Sequence, residues 1–501
     1  MAPDKVNRLY MLKQRIFKNT LVNSGGKSLT LFLQLFIITY LVKTIGKEAY
    51  GIVVLALSLV GNTNLIEAGF GLSVTKYVAE YKAKDDWKRL LEIVNTNFVV
   101  VTIIALGFCG ILFIINEVFL EKIFTIPASF LQPAKGMIRI LILLSFVEFW
   151  SVSIMRVLEG FQQFSVARGM EVLKWLLRLV FIIVAVEKDY GLPGVGAAYF
   201  AAGIINLAIL YLFAFSRTSR LKLNILLSNK ESFKLLFGFS IWIFLSKAFA
   251  FISYRIDTIV IGIFLPLENL TYYNIAFKVF DVLRYGFSLI SSTLVPVTSE
   301  IAATMNKERL SLLFKKASKY TTLSMFPIVI FFFFYSDKMI HLWMGSSFGT
   351  SVVLSQLFIA SLFFTALVSS GSEMMTGMNK LKVLVKYNGV GSLINLVASV
   401  ILVQKIGVYG VVVGTLIGSS IVSSGYLYQM MKEFSMSLPE YLKDIVMMPL
   451  FLTAILCVMF IFFKSILVGF LGLLIYFLIV FALVVDKEDK ESVLKLFKSY
   501  V

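Results

Sequence analysis

The sequence predicts an all-α polytopic membrane protein with fourteen transmembrane helices. Three observations predict it. Hydrophobic residues make up 58% of the 501-residue chain and charged residues only 15%, against about 25% charged in soluble domains. Apolar runs of eighteen or more residues recur from end to end, which is the signature of helices that cross lipid. Lysine and arginine crowd into every second connection, as the positive-inside rule requires of a chain that threads back and forth.

The chain starts with a basic, amphipathic segment, MAPDKVNRLYMLKQRIFKNT. The apolar run behind it has no small-residue cleavage pattern, so the first helix is expected to stay as an anchor. The spans fall at about 20–43, 50–75, 91–115, 136–160, 164–186, 192–216, 234–265, 271–303, 318–336, 351–378, 383–404, 408–431, 442–463 and 466–485. Counted around them, the even-numbered connections and both ends hold 32 cations, and the odd-numbered connections hold 8. A miscounted helix would break this alternation downstream. Both termini are therefore expected on the cytoplasmic side of a multi-pass protein of the cytoplasmic (inner) membrane.

Several function classes drop out. The net charge is +18, but its spread over short loops is not a nucleic-acid surface. Cys109 and Cys457 lie in apolar runs and give no disulfide or metal framework. The single histidine, His341, builds neither a zinc site nor a nucleophile triad. NSGGKS, residues 23–28, lacks the glycine spacing of a phosphate-binding loop and lies inside the first span. The longest outside connection, about 116–135, is too short for a catalytic domain such as a sugar polymerase needs. A transporter without cofactor or metal is expected, not an enzyme.

An internal repeat organises the spans. LEGFQQFSVARGMEVLKWLLRLVFIIVAVEKDYG, from Leu158, aligns with the stretch from Met375 at an offset of 217. Gly160, Val166, Leu176 and Leu179 meet Gly377, Val383, Leu393 and Leu396, and after a small gap Tyr190-Gly191 meets Tyr409-Gly410. GKEAYG before span 2 resembles ENLTYY before span 8. The expected domains are a six-helix half at 1–216, a second at 217–431, and two extra helices with a basic tail at 432–501. Six is even, so the halves run parallel, and such repeats hold their substrate between them near the midplane.

Seven cations remain inside spans: Lys27, Arg139, Arg178, Lys247, Arg255, Lys278 and Arg284. A charge at mid-bilayer costs at least ~2.5 kcal/mol on insertion scales and marks a substrate or ion path. Intramembrane acids include Glu67, Glu148, Asp257, Asp281 and Glu373. Spans 1, 2, 7 and 8, the leading hairpins, carry most of these charges. Counted from a hairpin tip near Leu267–Asn269, Asp257 lies at the depth of Lys278, and Arg255 at that of Asp281. Cross-helix ion pairs that only fix register would use up some of them. Lys27, Lys247 and Arg284 have no obvious acid, and an excess of cations suits a phosphate-bearing substrate. Asn274, Lys278, Asp281 and Arg284 form one stripe on span 8, whereas Arg255 and Asp257 lie roughly 200° apart on an ideal helix. Arg139 sits near a span end, where long side chains snorkel. Arg178 aligns with Asn395, which fits polar packing as readily as function.

With these residues in view, the whole chain resembles the Wzx-type polysaccharide flippases, in the superfamily that also holds lipid II flippases and MATE drug exporters. The resemblance rests on the fourteen-span layout, on NTLVNSGGKSLTLFLQLFIITYLVKTIGKEAYG, on EAGFGLSVTKYVAEY, and on RIDTIVIGIF with YYNIAFKV after it. It implies alternating-access movement of an undecaprenyl-pyrophosphate-linked oligosaccharide for surface polysaccharide biosynthesis, with no ATP use. It implies an anionic-headgroup site at Lys27, Lys247, Arg255, Lys278 and Arg284. Glu67, Asp257 and Asp281 are then ion-pair or coupling acids. The implied partners are the lipid-linked substrate, the bilayer, a coupling proton or sodium ion, and other polysaccharide-assembly proteins. The competing expectation is an ion-coupled MATE-like exporter of small organic ions, but that branch has twelve spans, and exporters of cations favour acidic cavities.

Overall fold

A computed structural model describes residues 25–61, 63–217, 220–237, 249, 255–304, 306–486 and 490. The side chains of residues 63–70 and 217 lie outside that description. Every regular element among the described residues is helical. In order they are α1 (Gly25–Ile45) and α4 (Trp87–Ile123), with α2 (Lys47–Val60) and α3 (Thr63–Ala83) between them. α5 (Ala128–Gly160), α6 (Phe164–Glu187), α7 (Gly191–Arg217), α8 (Ile256–Phe264) and α9 (Glu268–Ser292) follow. Then come α10 (Leu294–Ala303), α11 (Lys307–Met344), α12 (Gly349–Gly377), α13 (Leu381–Ile406) and α14 (Val408–Glu433). α15 (Leu438–Phe462) and α16 (Ile466–Val484) end the described chain.

Ten described helices are long and apolar enough to cross a membrane, each overlapping one of the expected spans, and three of them extend past it by eight or more residues at an end, as Lys307–Met344 does beyond 318–336. The other four expected spans are those with breaks or concentrated charge. Span 2 divides into α2 and α3. Span 5 is α6, which carries Arg168, Glu171, Lys174 and Arg178. Half of span 7 falls outside the described residues, which include 234–237, 249 and 255–265. Span 8 is α9 and α10, joined through Thr293, whose backbone stays in the right-handed helical region.

The chain forms two compact units, Met1–Asn274 and Ile275–Val501. In the first, α5 is the hub and packs against α2, α3, α4 and α7. Val74, Leu90, Ile93, Phe98, Ile154, Leu158 and Leu210 fill the core at one end of that bundle. In the second, α12 packs against α10, α11 and α14, and α13 lies along α14. α15 and α16 dock on α11. Tyr335 of α11 donates to the Phe463 carbonyl at 2.7 Å, and its ring sits where a Cβ on Gly469 would lie 2.3 Å away. The outward faces stay apolar, as at Leu467, Phe470, Leu474 and Leu478. Lipid tails make such surfaces unremarkable in a membrane, although they would drive aggregation in water.

The repeat reappears as backbone geometry. Gln162 and Asn379, 217 residues apart, both take left-handed φ, at 63° and 59°. The turns around them match bond for bond. Phe161, Gln162 and Gln163 donate to Val157, Glu159 and Leu158, and Met378, Asn379 and Lys380 donate to Met374, Thr376 and Met375. Helix starts match as well: Asp86 caps Arg89 N–H at 3.0 Å, and Asn306 caps Arg309 N–H at 2.9 Å. Short polar side chains at these positions satisfy amides that the helix itself leaves open.

Candidate functional site

The α8–α9 hairpin opens with the two charges that stand out in the sequence. Arg255 precedes the first residue of α8, with φ −125° and ψ −27°, outside helical geometry. The expected 200° separation on one continuous helix therefore does not describe the pair. Arg255 is exposed and Asp257 is fully buried. Asp257 sits in the first turn of α8, where the helix dipole favours a negative charge. Tyr273 of α9 donates its hydroxyl to Asp257 Oδ2 at 3.0 Å. A buried carboxylate needs such a donor to offset its desolvation.

The hairpin tip is seated on α2. Thr271 Oγ1 donates to the Lys47 carbonyl at 2.6 Å. Tyr50 Oη donates to Asn274 Oδ1 at 2.9 Å, and Lys47 Nζ donates to Tyr272 Oη at 3.2 Å. Gly51 allows the close approach, because a Cβ there would lie 2.0 Å from the Leu267 carbonyl oxygen. On the other side, Thr125 N–H donates to the Gly262 carbonyl at 3.0 Å. The stripe expected on span 8 thus begins with Asn274 engaged at this latch. Further along α9, Lys278 is half-buried, and Arg284, expected to lack an acid, donates to Asp281 at 2.7 Å because the two are three residues apart on one helical face.

Lys27 lies on α1, half-buried. Its neighbour Gly26 approaches Arg168 Cβ of α6, at 3.6 Å from where its own Cβ would be. Arg168 belongs to an ionic chain in which Arg156 pairs with Glu159 at 2.8 Å and Arg168 with Glu171 at 2.7 Å. Lys247 lies outside the described residues, as does the Glu67 side chain. Arg139 is held by Glu117 through two hydrogen bonds, at 2.7 and 2.8 Å.

A second cluster was legible only in part. Glu148 of α5 accepts from Lys174 Nζ at 2.8 Å and from Arg178 Nη2 at 2.6 Å, both on α6. The three side chains retain 13%, 12% and 10% of their exposure, in that order. The Arg178 guanidinium lies between the rings of Trp175 and Tyr199, 4.8 and 4.9 Å from their centroids. Lys174 and Arg178 sit ten and fourteen residues into α6, ~15 and ~21 Å along its axis. The cluster therefore lies near the middle of α6, which the sequence reads as span 5. Counting Lys174 among the even-loop cations, outside the seven intramembrane ones, placed it too near the helix start. The signal that would have found it is its spacing of four from Arg178, one helical face.

Residues 16–302, more than half the chain, match the family described as polysaccharide biosynthesis protein. The chain belongs to this family. A putative O-antigen transporter of Shigella flexneri is 22% identical over 390 residues, covering 74% of this chain and 86% of the relative. The lipid II flippase MurJ, in an inward closed conformation, superposes with a TM-score of 0.73 at 16% identity, over 92% of this chain and 98% of that one. An inward-facing MATE multidrug transporter gives a TM-score of 0.70 at 16% identity, over 81% and 94%. The chain thus shares the fold of a MATE exporter and a lipid II flippase, with ten described helices long and apolar enough to cross a membrane.

Proposed function

We propose that the protein moves an undecaprenyl-pyrophosphate-linked oligosaccharide from the inner to the outer leaflet of the cytoplasmic membrane, by alternating access. The observation that carries the reading is the set of cations on the helices of a chain in the polysaccharide biosynthesis family. Lys27 lies on α1, Lys174 and Arg178 on α6, and Lys278 and Arg284 on α9, and Arg and Lys are the side chains that suit a diphosphate. Arg255 and Lys247 stay in the proposal as headgroup ligands. Asp257, Asp281 and Glu67 stay as bracing or coupling acids, with a proton or sodium as the coupling ion.

In this reading the α2–hairpin latch closes one end of the path and has to open once per cycle. α15 and α16, which pack on α11, supply a flank for the lipid tail. A triple neutralisation, Lys247→Gln, Arg255→Gln and Arg284→Gln, is expected to abolish surface polysaccharide while the protein stays in the membrane. Full export by that variant refutes the headgroup assignment. A small-ion exporter is the competing reading, and drug susceptibility of expressing cells separates the two.

A further inference from the structure

The repeat supplies an internal control for the Glu148–Lys174–Arg178 cluster. At the offset of 217, the counterparts of Glu148, Lys174 and Arg178 are Thr365, Gly391 and Asn395. After the small gap, Tyr199 corresponds to Gly418. In the second unit these positions form a close-packed neutral seam. A Cβ on Gly391 would lie 2.1 Å from Val422 Cγ2, and one on Gly418 would lie 2.7 Å from Asn395 Cβ and 2.8 Å from the Gly391 carbonyl oxygen. Ser399 Oγ closes the seam by donating to Asn395 Oδ1 at 3.0 Å. The helix arrangement therefore holds together at this level with glycine and a single amide. The first unit instead opens the seam and fills it with two cations, one carboxylate and two aromatic rings.

That substitution is unbalanced in charge. Among the described residues two cations face one carboxylate near the middle of α6, and excess charge within a span serves a substrate or ion path. Arg178 is 8% exposed, and its Nε has no hydrogen-bond partner among the described residues. A guanidinium normally engages an oxyanion through two parallel N–H bonds, and here one of its donors is held in reserve. Glu148 and Lys174 keep some exposure, so the cluster is not sealed.

We infer that Lys174 and Arg178 form an oxyanion-binding site of the phosphate type, with Glu148 as the resident anion that the ligand displaces. The carboxylate keeps the two cations satisfied when the site is empty, and Trp175 and Tyr199 hold the guanidinium in plane for the exchange. The inference relies on the flippase reading only for the source of the anion, a lipid-linked diphosphate rather than a free one.

The test is titration of inorganic pyrophosphate into the detergent-purified full-length protein, read by tryptophan emission. Trp175 is the local reporter, so the signal should vanish in Trp175→Phe. Wild type is expected to saturate. Lys174→Gln should weaken binding at least ~tenfold and Lys174→Arg should restore it. Glu148→Gln should tighten it at least ~tenfold, the low end of what removing a neighbouring charge does to an ionic equilibrium. A purely structural ion cluster predicts the opposite for Glu148→Gln: a weakened fold and no gain in anion affinity. Unchanged or weaker binding by folded Glu148→Gln overturns the inference. If that variant does not fold, equal binding by Lys174→Gln and Lys174→Arg overturns it. Competition by polyprenyl diphosphate in the same assay identifies the cargo headgroup as the ligand, and lack of competition identifies a free anion. Pyrophosphate binding with no oligosaccharide transport would refute the cargo and leave the site standing.

Discussion

Gly51→Val is the sharpest perturbation of the latch between α2 and the α8–α9 hairpin. At wild type the Leu267 carbonyl oxygen occupies the place of a Cβ, which would sit 2.0 Å from it. No rotamer relieves that clash, because both groups are fixed to backbone. The hairpin tip has to move by more than an ångström, and the three latch bonds cannot all survive the move: Thr271 to Lys47 O, Tyr50 to Asn274, and Lys47 to Tyr272. Each is worth about 0.5–1.5 kcal/mol net. Loss of two of the three shifts the latched population by about 1–3 kcal/mol, or roughly five- to 150-fold. The assay is cross-linking of Tyr50→Cys and Asn274→Cys by a short bis-methanethiosulfonate reagent that spans the tyrosine side chain, with and without Gly51→Val. The pair should cross-link efficiently alone, block transport when cross-linked, and recover with reductant. Adding Gly51→Val should cut the cross-linking rate at least ~fivefold. Equal cross-linking rates in the two backgrounds refute the idea that this contact is a single bistable closure.

Other expectations follow from the same geometry. Tyr273→Phe removes the donor to buried Asp257 and should lower unfolding stability by about 1.5–3 kcal/mol; Asp257→Asn in the same background should recover part of that loss in a thermal-melt assay. Gly391→Val drives a side chain into Val422 and should cost about 1–3 kcal/mol through overpacking, visible as reduced yield of folded protein. Gly469→Leu collides with the Tyr335 ring and should loosen α15–α16 from α11, which protease accessibility of the tail reports.

Much of this architecture can be read from charge and periodicity alone. The apolar helices announce themselves by length, and ten of them overlap their expected positions, while the helical backbone runs past the apolar core where the ends turn polar, as in Lys307–Met344. The repeat is read from matches such as Gly160 with Gly377, and the turns at Gln162 and Asn379, at the same offset, share φ and hydrogen bonding. Harder to read were the places where helices break. The sequence reads Arg255 as part of a continuous span because its neighbours are apolar, and hydropathy carries no term for the non-helical backbone with which Arg255 precedes α8. The pairing of Asp257 with Tyr273 was missed for a related reason. Searching for an opposite charge passes over a neutral hydroxyl that satisfies a carboxylate equally well. Lys174 was assigned to a loop by counting cations in blocks, whereas helical spacing sets it beside Arg178 and across from Glu148. The latch residues Tyr50 and Asn274 are more than two hundred positions apart, and no single-sequence pattern links such residues.

The central claim is that cations inside the bundle carry an anionic, lipid-linked sugar across the membrane. Its most direct test is transbilayer movement of a fluorescent undecaprenyl-pyrophosphate oligosaccharide in liposomes reconstituted with the purified protein. The account predicts protein-dependent flipping, reduced at least tenfold when Lys27, Lys278 and Arg284 are neutralised together. Flipping at the same rate with and without these charges, or none by wild type under conditions where the protein is folded, would contradict it.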